Sequence, residues 1–365
     1  MSLPLISEPS LSVAATGTPR QLIDRLSVDG RLSLDEFEAL LVRADDDDRE
    51  YARAAAVEVA HRHFGNRVFV RGLIEFSNHC RQDCLYCGIR KSNRDAERYR
   101  FSAEDILDCC AVGYELGYRT FVLQSGEDAR FTTDVMTDII RRIRAGYPDC
   151  AITLSIGERS RDAYQQFYDA GANRFLLRHE TATADHYAQL HPEGQALATR
   201  LRCLADLKEI GFQTGAGFMV GSPFQTPRHL ARDLVFLSEL QPHMVGIGPF
   251  LPHRSTPFHD RAPGSVDLTL FILSLVRLML PTVLLPATTA LGTARAGARE
   301  QGILSGANVI MLNLGPEDLR PKYLLYDNKP VSGEVAANTA TTRATLARIG
   351  YDIVVDRGDH PSEVR

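Results

Sequence analysis

At 365 residues and 44% hydrophobic content, the chain has enough apolar material to bury a sizeable core, as one large α/β domain or two smaller ones. A formal net charge of −5 with no basic block argues against nucleic-acid binding as its main task. Its seven cysteines show none of the even, regular pairing of a disulfide framework, which points to a reducing compartment and a cytoplasmic address.

Residues 1–18 lack the positive start and continuous apolar core of a signal peptide and are expected to form a loose tail. Residues 19–66 read as a helical extension. Ser33-Leu-Asp-Glu36 has the form of a capping box ahead of Phe37, Leu40 and Leu41, and 51–63 is rich in Ala. The acidic run Asp45–Asp48 reads as a solvated turn or helix start, not a metal site. From Val68 onward strand and helix alternate. Strand candidates fall near 68–76, 120–125, 151–156, 174–179, 214–220, 244–249, 283–288 and 307–312. Helical segments such as 102–116, 132–144, 198–210 and 227–240 lie between them. Eight such units over roughly 250 residues are the signature of a (β/α)8 barrel, expected over 67–320, with a doubly wound open sheet as the structural alternative. Residues 321–365 are expected to close the barrel. The longest apolar stretch, Leu268–Leu280, is too short to span a bilayer and reads as a buried helix.

The first strand runs directly into Phe76-Ser-Asn-His-Cys-Arg-Gln-Asp-Cys-Leu-Tyr-Cys-Gly88, which sets Cys80, Cys84 and Cys87 in a C-x3-C-x2-C pattern. Three thiolates are one short of a closed four-thiolate site. The set suits a [4Fe-4S] cluster whose fourth iron stays open for a ligand. A structural zinc site usually shows two C-x2-C or C-x2-H pairs, and three packing thiols would sit in a less polar loop than this one.

In a barrel, period-2 alternation decides which side chains face the axis. It directs Ile152, Leu154 and Ile156 outward to the helices and Thr153 and Ser155 inward. In the following strand Arg174, Leu176, Arg178 and Glu180 share one face, with Phe175, Leu177 and His179 on the other. Two Arg and one Glu inside a barrel need partners. Either they form an internal ion-pair cluster, or the surplus positive charge receives an anionic ligand. His179, on the outward face, reads as a packing or hydrogen-bonding residue.

The cysteine loop, with Tyr86 before its last Cys, resembles that of the radical S-adenosylmethionine (SAM) enzymes. The resemblance continues in order through Val122-Leu-Gln-Ser-Gly-Glu-Asp128, Thr153-Leu-Ser-Ile-Gly-Glu158, Leu176-Leu-Arg-His-Glu-Thr181, Thr214-Gly-Ala-Gly-Phe-Met-Val-Gly221, Met244-Val-Gly-Ile-Gly-Pro-Phe250 and Pro286-Ala-Thr-Thr-Ala-Leu-Gly292. These segments resemble the HydE family of [FeFe]-hydrogenase maturases, whose relatives include biotin synthase and methylornithine synthase.

That resemblance implies a (β/α)8 barrel holding a [4Fe-4S] cluster on Cys80, Cys84 and Cys87, with SAM chelating the open iron. Tyr86, Ser125, Gly126 and Glu127 would lie on the methionyl side of SAM. Ser155, Glu180 and Arg200 would be further polar contacts, the Arg pairing with the carboxylate. Met219 and Ile247 would be neighbours of the adenosyl group. Gln124, Thr153, Arg174, Arg178, Thr288, Thr289, Tyr323 and Tyr326 would form the substrate cavity, where matching residues of the family bind small anions. The implied chemistry is reductive cleavage of SAM to a 5′-deoxyadenosyl radical. In the family that radical acts on an iron-bound cysteine complex bearing CO and cyanide; an amino-acid substrate of a methylornithine-synthase-like mutase is the alternative. A flavodoxin- or ferredoxin-type electron donor and the other hydrogenase maturases are the implied partners, with no nucleic acid or membrane. Many family members carry further C-terminal cysteines for a second cluster. Residues 327–343 have none here, so one cluster is expected.

Overall fold

The computed structural model describes residues 16–363; most of the expected tail, residues 1–15, lies outside them. Three helices open the described chain: α1 (Pro19–Asp29), α2 (Leu34–Arg43) and α3 (Asp46–Phe64). Each begins with a reciprocal cap, Thr18 with Gln21, Ser33 with Glu36 and Asp45 with Asp48, which satisfies backbone N–H groups that the first turn leaves free. The acidic run is therefore one cap plus three acids in a first turn, where the helix dipole favours negative charge.

Next come β1 (Arg67–Ser77), α4 (Ala103–Glu115), β2 (Thr120–Ser125), α5 (Thr133–Gly146), β3 (Ala151–Ser155), α6 (Arg161–Asp169) and β4 (Arg174–Leu176). The second half holds α7 (Ala184–Leu190), α8 (Leu197–Ile210), β5 (Gln213–Ala216), β6 (Met219–Val220), α9 (Pro227–Leu240), β7 (Met244–Val245), β8 (Gly248–Pro249) and α10 (Val266–Met279). After α11 (Thr289–Ala294), α12 (Ala298–Ile303) and β9 (Val309–Asn313) come α13 (Val335–Arg348) and β10 (Asp352–Val354).

All strand pairings are parallel, in the order β10-β1-β2-β3-β4-β5-β7, with β9 also on β1. Two further parallel bridges, Met244 with Leu284 and Pro286 with Val309, carry the ring from β7 through 284–286 to β9 and back to β1. This is a curled parallel α/β barrel with a helical extension on its N-terminal side. Helices α3 and α10 pack together, as do α2 and α9, so the extension covers the outside of the barrel's later helices.

Local physics shortens several expected strands. The 214–220 run breaks into β5 and β6 at Gly217, whose φ is +152° and where a Cβ would lie 2.0 Å from the Gly246 carbonyl oxygen. The 244–249 run breaks likewise into β7 and β8. The 174–179 run ends its ladder at Leu176 because 177–180 turns to a single bridge, Glu180 with Phe218. The expected 283–288 strand survives as the two bridges above. Leu268–Leu280 lies in α10, and the buried Arg277 there donates to the carbonyls of Gly306 and Pro281 and to Asn308 Oδ1. Three satisfied donors explain how a cation sits in that helix. Strand β10 was not expected from the sequence. It pairs the start of β1 and brings residues 356–360 against the N-terminal ends of β4 and β5.

Candidate active site

The cysteine loop leaves β1 at Ser77 and is tied down by its polar residues. Asn78 Nδ2 donates to the carbonyls of Glu97 (2.8 Å) and Lys322 (2.6 Å), and Asn78 Oδ1 accepts from Tyr99 N. The Asp83 carboxylate collects Arg90, the Ser92 hydroxyl and the Ser92 amide. Although burial alone would raise it, these donors hold its pKa down at about 2. The loop after β2 closes over the first cysteine: Glu127 N donates to Cys80 Sγ at 3.3 Å. Only a residue without a Cβ fits at Gly126, where that atom would come 2.4 Å from the His79 carbonyl and 2.7 Å from Cys80 Cβ.

Cys80, Cys84 and Cys87 are free and partly buried, whereas Cys109, Cys110, Cys150 and Cys203 are free and fully buried. Burial raises all three loop thiols, Cys84 to about 12. For Cys84 and Cys87 the next cause is the neighbouring thiols of the loop, so the three lie close enough to feel one another's charge. Among the described residues no three His, Cys, Asp or Glu side chains converge tightly enough for a single ion. Three thiols in one loop are one short of a closed tetrahedral zinc site and fit a [4Fe-4S] cluster with one iron left open.

The three cysteines line one side of a cavity of about 330 Å³ at the C-terminal ends of the strands, the end where barrel enzymes carry their sites. Its walls include Tyr86, Gln124, Ser125, Gly126, Glu127, Ser155, Arg178, Glu180, Arg200, Met219, Thr288, Thr289, Tyr323 and Tyr326. All of the residues that the sequence assigned to cofactor and substrate are thus brought together except Thr153, Arg174 and Ile247.

Those three lie elsewhere for clear reasons. Arg174 is fully buried beneath the cavity. It donates to Asp359 Oδ1 at 2.6 Å, to Thr120 Oγ1, to the Arg357 carbonyl and to Gln213. Its charge is neutralised by the C-terminal segment, so the expected anion contact is corrected to a structural ion pair. Thr153 does face inward, but one layer below Ser155, at 1% exposure and with its hydroxyl unpartnered. Ile247 belongs to the hydrophobic core, and its glycine neighbours Gly246 and Gly248 reach the cavity instead.

Within the cavity some groups are already paired and some are not. Glu127 accepts from Arg81, Gln82 and the Glu158 amide. Arg200, 8% exposed, donates to Glu158 Oε1 at 2.6 Å and to the Arg178 carbonyl at 2.5 Å. Arg178 Nη2 and Glu180 Oε2 form an ion pair at 3.2 Å, while Arg178 Nε and Thr288 Oγ1 make no hydrogen bond. Buried donors and acceptors left unmatched cost free energy unless a ligand meets them, so Arg178 Nε and Thr288 Oγ1 are positions where a polar ligand fits.

Glu180 holds an unusual φ of +65° for a residue with a Cβ. It is clamped from behind. His179 Nδ1 accepts from Gly217 N, its Nε2 lies 3.4 Å from Asp233 Oδ1, and that same oxygen accepts from Ala182 N. Burial lowers His179 to about 3 and raises Asp233, so the imidazole is neutral. His179 does pack outward, as its alternation implied.

Sequence reading missed three contributors and one buried cation that does not line the cavity. Arg71 is buried on β1 with Nη1 on Met244 Sδ and its other nitrogens Nε and Nη2 unpartnered. Glu75, also on β1, meets Lys329 and Asn313. Gln82 and Lys329 line the cavity. The signal for the first two is present in the sequence: Arg71 and Glu75 interrupt the strand candidate 68–76 at inward positions.

Three comparisons with known proteins agree with this geometry. Residues 74–237 match the radical SAM superfamily profile. The [FeFe] hydrogenase maturase subunit HydE of Thermotoga maritima is 46% identical over 75% of this chain and 78% of its own length. The 3-methylornithine synthase of Methanosarcina acetivorans is 29% identical over 71% of this chain and 73% of its own. Among solved structures, methylornithine synthase superposes with a TM-score of 0.75 at 23% identity, covering 91% of this chain and 97% of that one. The maturase HydG gives 0.77 at 19% identity, covering 93% and 77%.

Proposed function

Because this chain belongs to the radical SAM superfamily and, within it, to the HydE family, we propose that it uses one [4Fe-4S] cluster and SAM to act on a small anionic iron–cysteine complex bearing CO and cyanide, as a step in hydrogenase maturation. The observation that carries this reading is the meeting, in one cavity, of three free loop thiols with the Arg178–Glu180 ion pair, Arg200 and the unpartnered Arg178 Nε and Thr288 Oγ1.

Cys80, Cys84 and Cys87 would hold the cluster. With SAM bound and one electron delivered, it supplies homolysis of the S–C5′ bond to methionine and a 5′-deoxyadenosyl radical. The chain's own residues bind, orient and shield. Glu180 accepts from the methionyl ammonium, and Arg200, neutralised on one edge by Glu158, offers its remaining donors to the carboxylate. Ser125 and Ser155 flank the same moiety, and Met219 packs on the adenosyl side. Deeper in the cavity Arg178, Thr288, Thr289, Tyr323 and Tyr326 form a separate polar floor. There Arg178 Nε, which has no partner in the protein, meets the anion and the tyrosine rings keep water out. The electron comes from a flavodoxin- or ferredoxin-type donor.

Anaerobic turnover with the iron complex, following 5′-deoxyadenosine, tests this reading. The complex should stimulate its formation above the uncoupled level, and lysine, the isomer of 3-methylornithine, or another amino acid should not. Stimulation by an amino acid alone would move the assignment to a 3-methylornithine-synthase-type mutase.

A further inference from the structure

A second cavity of about 340 Å³ opens beside the first, between β9, α12, α13 and the segment 329–332. It shares Leu73, Thr289, Met311 and Lys329 with the active cavity, so one layer of side chains divides the two. Lys329 is the polar part of that partition. Its ammonium is held by both oxygens of Glu75 and by the Tyr323 carbonyl, and it is 7% exposed.

The side cavity is basic. Arg299, Arg320 and Lys329 line it against one acid, Glu300, and Thr342 and Thr345 of α13 form its outer wall. Arg320 is satisfied by the Gly315 and Gly333 carbonyls. Arg299 is not: Nη2 reaches the Met311 carbonyl at 3.1 Å, but Nε is shielded from solvent and has no partner. An orphaned guanidinium donor at the wall of the chamber is a place for a small anion.

Resting on the proposed SAM and substrate sites, a topological point follows. With SAM held on the loop cysteines, Glu180 and Arg200, a ligand on Arg178 and Tyr326 would share its cavity with bound SAM. We infer that the side cavity is a vestibule through which the anionic substrate reaches, or its product leaves, the active cavity while SAM is in place, with Lys329 swinging off Glu75 to join the two chambers.

Two measurements on cluster-loaded, full-length protein test this. In the first, crystals with SAM bound are soaked in iodide and the anion is located by anomalous scattering, which needs no knowledge of the substrate. Iodide beside Arg299 in the wild type, lost in Arg299→Met, is expected. No iodide in the side cavity, or equal occupancy in Arg299→Met, overturns the vestibule. The second is order of addition with the iron–cysteine complex bearing CO and cyanide. Wild type should give the same substrate-dependent 5′-deoxyadenosine rate whichever of SAM and the complex is added first. Thr342→Trp, which plugs the outer wall, should slow it at least tenfold when SAM is first and restore it when the complex is first, with uncoupled cleavage unchanged. Thr345→Trp is the second plug should the first impair folding. Wild type already blocked by SAM added first, with both plugs behaving as wild type, means entry through the active cavity itself and ends the proposal. If the complex stimulates nothing in either order while iodide still binds at Arg299, the substrate reading fails and the anion chamber stands.

Discussion

The individual side chains divide into those already satisfied by the protein and those awaiting something. Cys109, Cys110, Cys150 and Cys203 are buried thiols, Cys150 within 3.9 Å of the Tyr118 carbonyl and Cys203 within 3.8 Å of that of Arg159. Cys150→Ser and Cys203→Ser should therefore leave iron content and activity largely intact, as read by iron analysis after anaerobic reconstitution. A loss of iron from either would reveal an unassigned ligand. Arg200 and Arg178 differ in the same way. Removing Arg200 should weaken SAM binding roughly tenfold or more, the loss expected for a shielded charge-assisted contact. Removing Arg178 should leave uncoupled SAM cleavage nearly normal and suppress only the substrate-dependent product. Titration of SAM affinity in the two variants separates these roles, and loss of SAM binding from Arg178→Ala with none from Arg200→Ala would reverse them. At this scale the sequence was informative where a residue type stood out from its strand, as Glu180 did. It misled where the partner came from far along the chain: nothing local to Arg174 announces Asp359.

Secondary-structure elements carry the next set of constraints. The loop after β2 must lie on the cysteine loop, and Gly126 is what lets it. Gly126→Ala should push the two loops apart and lower cluster incorporation, measured as iron per chain, while β2 and β3 keep the protein folded; full iron loading in that variant would contradict the packing account. At the other end of the barrel the segment after β10 is held by the Arg174–Asp359 pair. Although burial alone would raise it, Arg174, with Gln213 and Arg357, holds Asp359 at about 2, below its ordinary 3.8. A depressed carboxylate contributes stability above its unfolded pKa that is lost as pH falls through the folded one. About 2 kcal/mol should thus disappear between pH ~4 and ~2. Denaturant titrations across that window should show a smaller fall in Asp359→Asn than in wild type, the remainder coming from other depressed carboxylates such as Asp83. Arg174→Met should be destabilised by about 3 to 5 kcal/mol, the cost of leaving one member of a buried pair uncompensated, with SAM binding unchanged. The strands that were legible, β1 to β3, are runs rich in β-branched, aromatic and leucine residues. Those that were not are broken where glycine brings two backbones together, as at Gly217, or carry too short a ladder to show periodicity, as at β10.

For the whole molecule, the barrel brings to one cavity residues drawn from Cys80 to Tyr326, and that convergence was legible from the sequence because the strand-end motifs occur in family order. The side cavity was not legible, since its walls come from α12, α13 and β9, which meet only in three dimensions. The central claim is that the three loop cysteines carry a SAM-cleaving cluster. Its most direct test is 5′-deoxyadenosine production from SAM by anaerobically reconstituted, chemically reduced protein, with Cys84→Ala run beside the wild type. The account predicts steady formation by the wild type, which should bind about four irons as a single cluster requires, and none by the variant, which should lack the cluster. Undiminished cleavage by Cys84→Ala would contradict it.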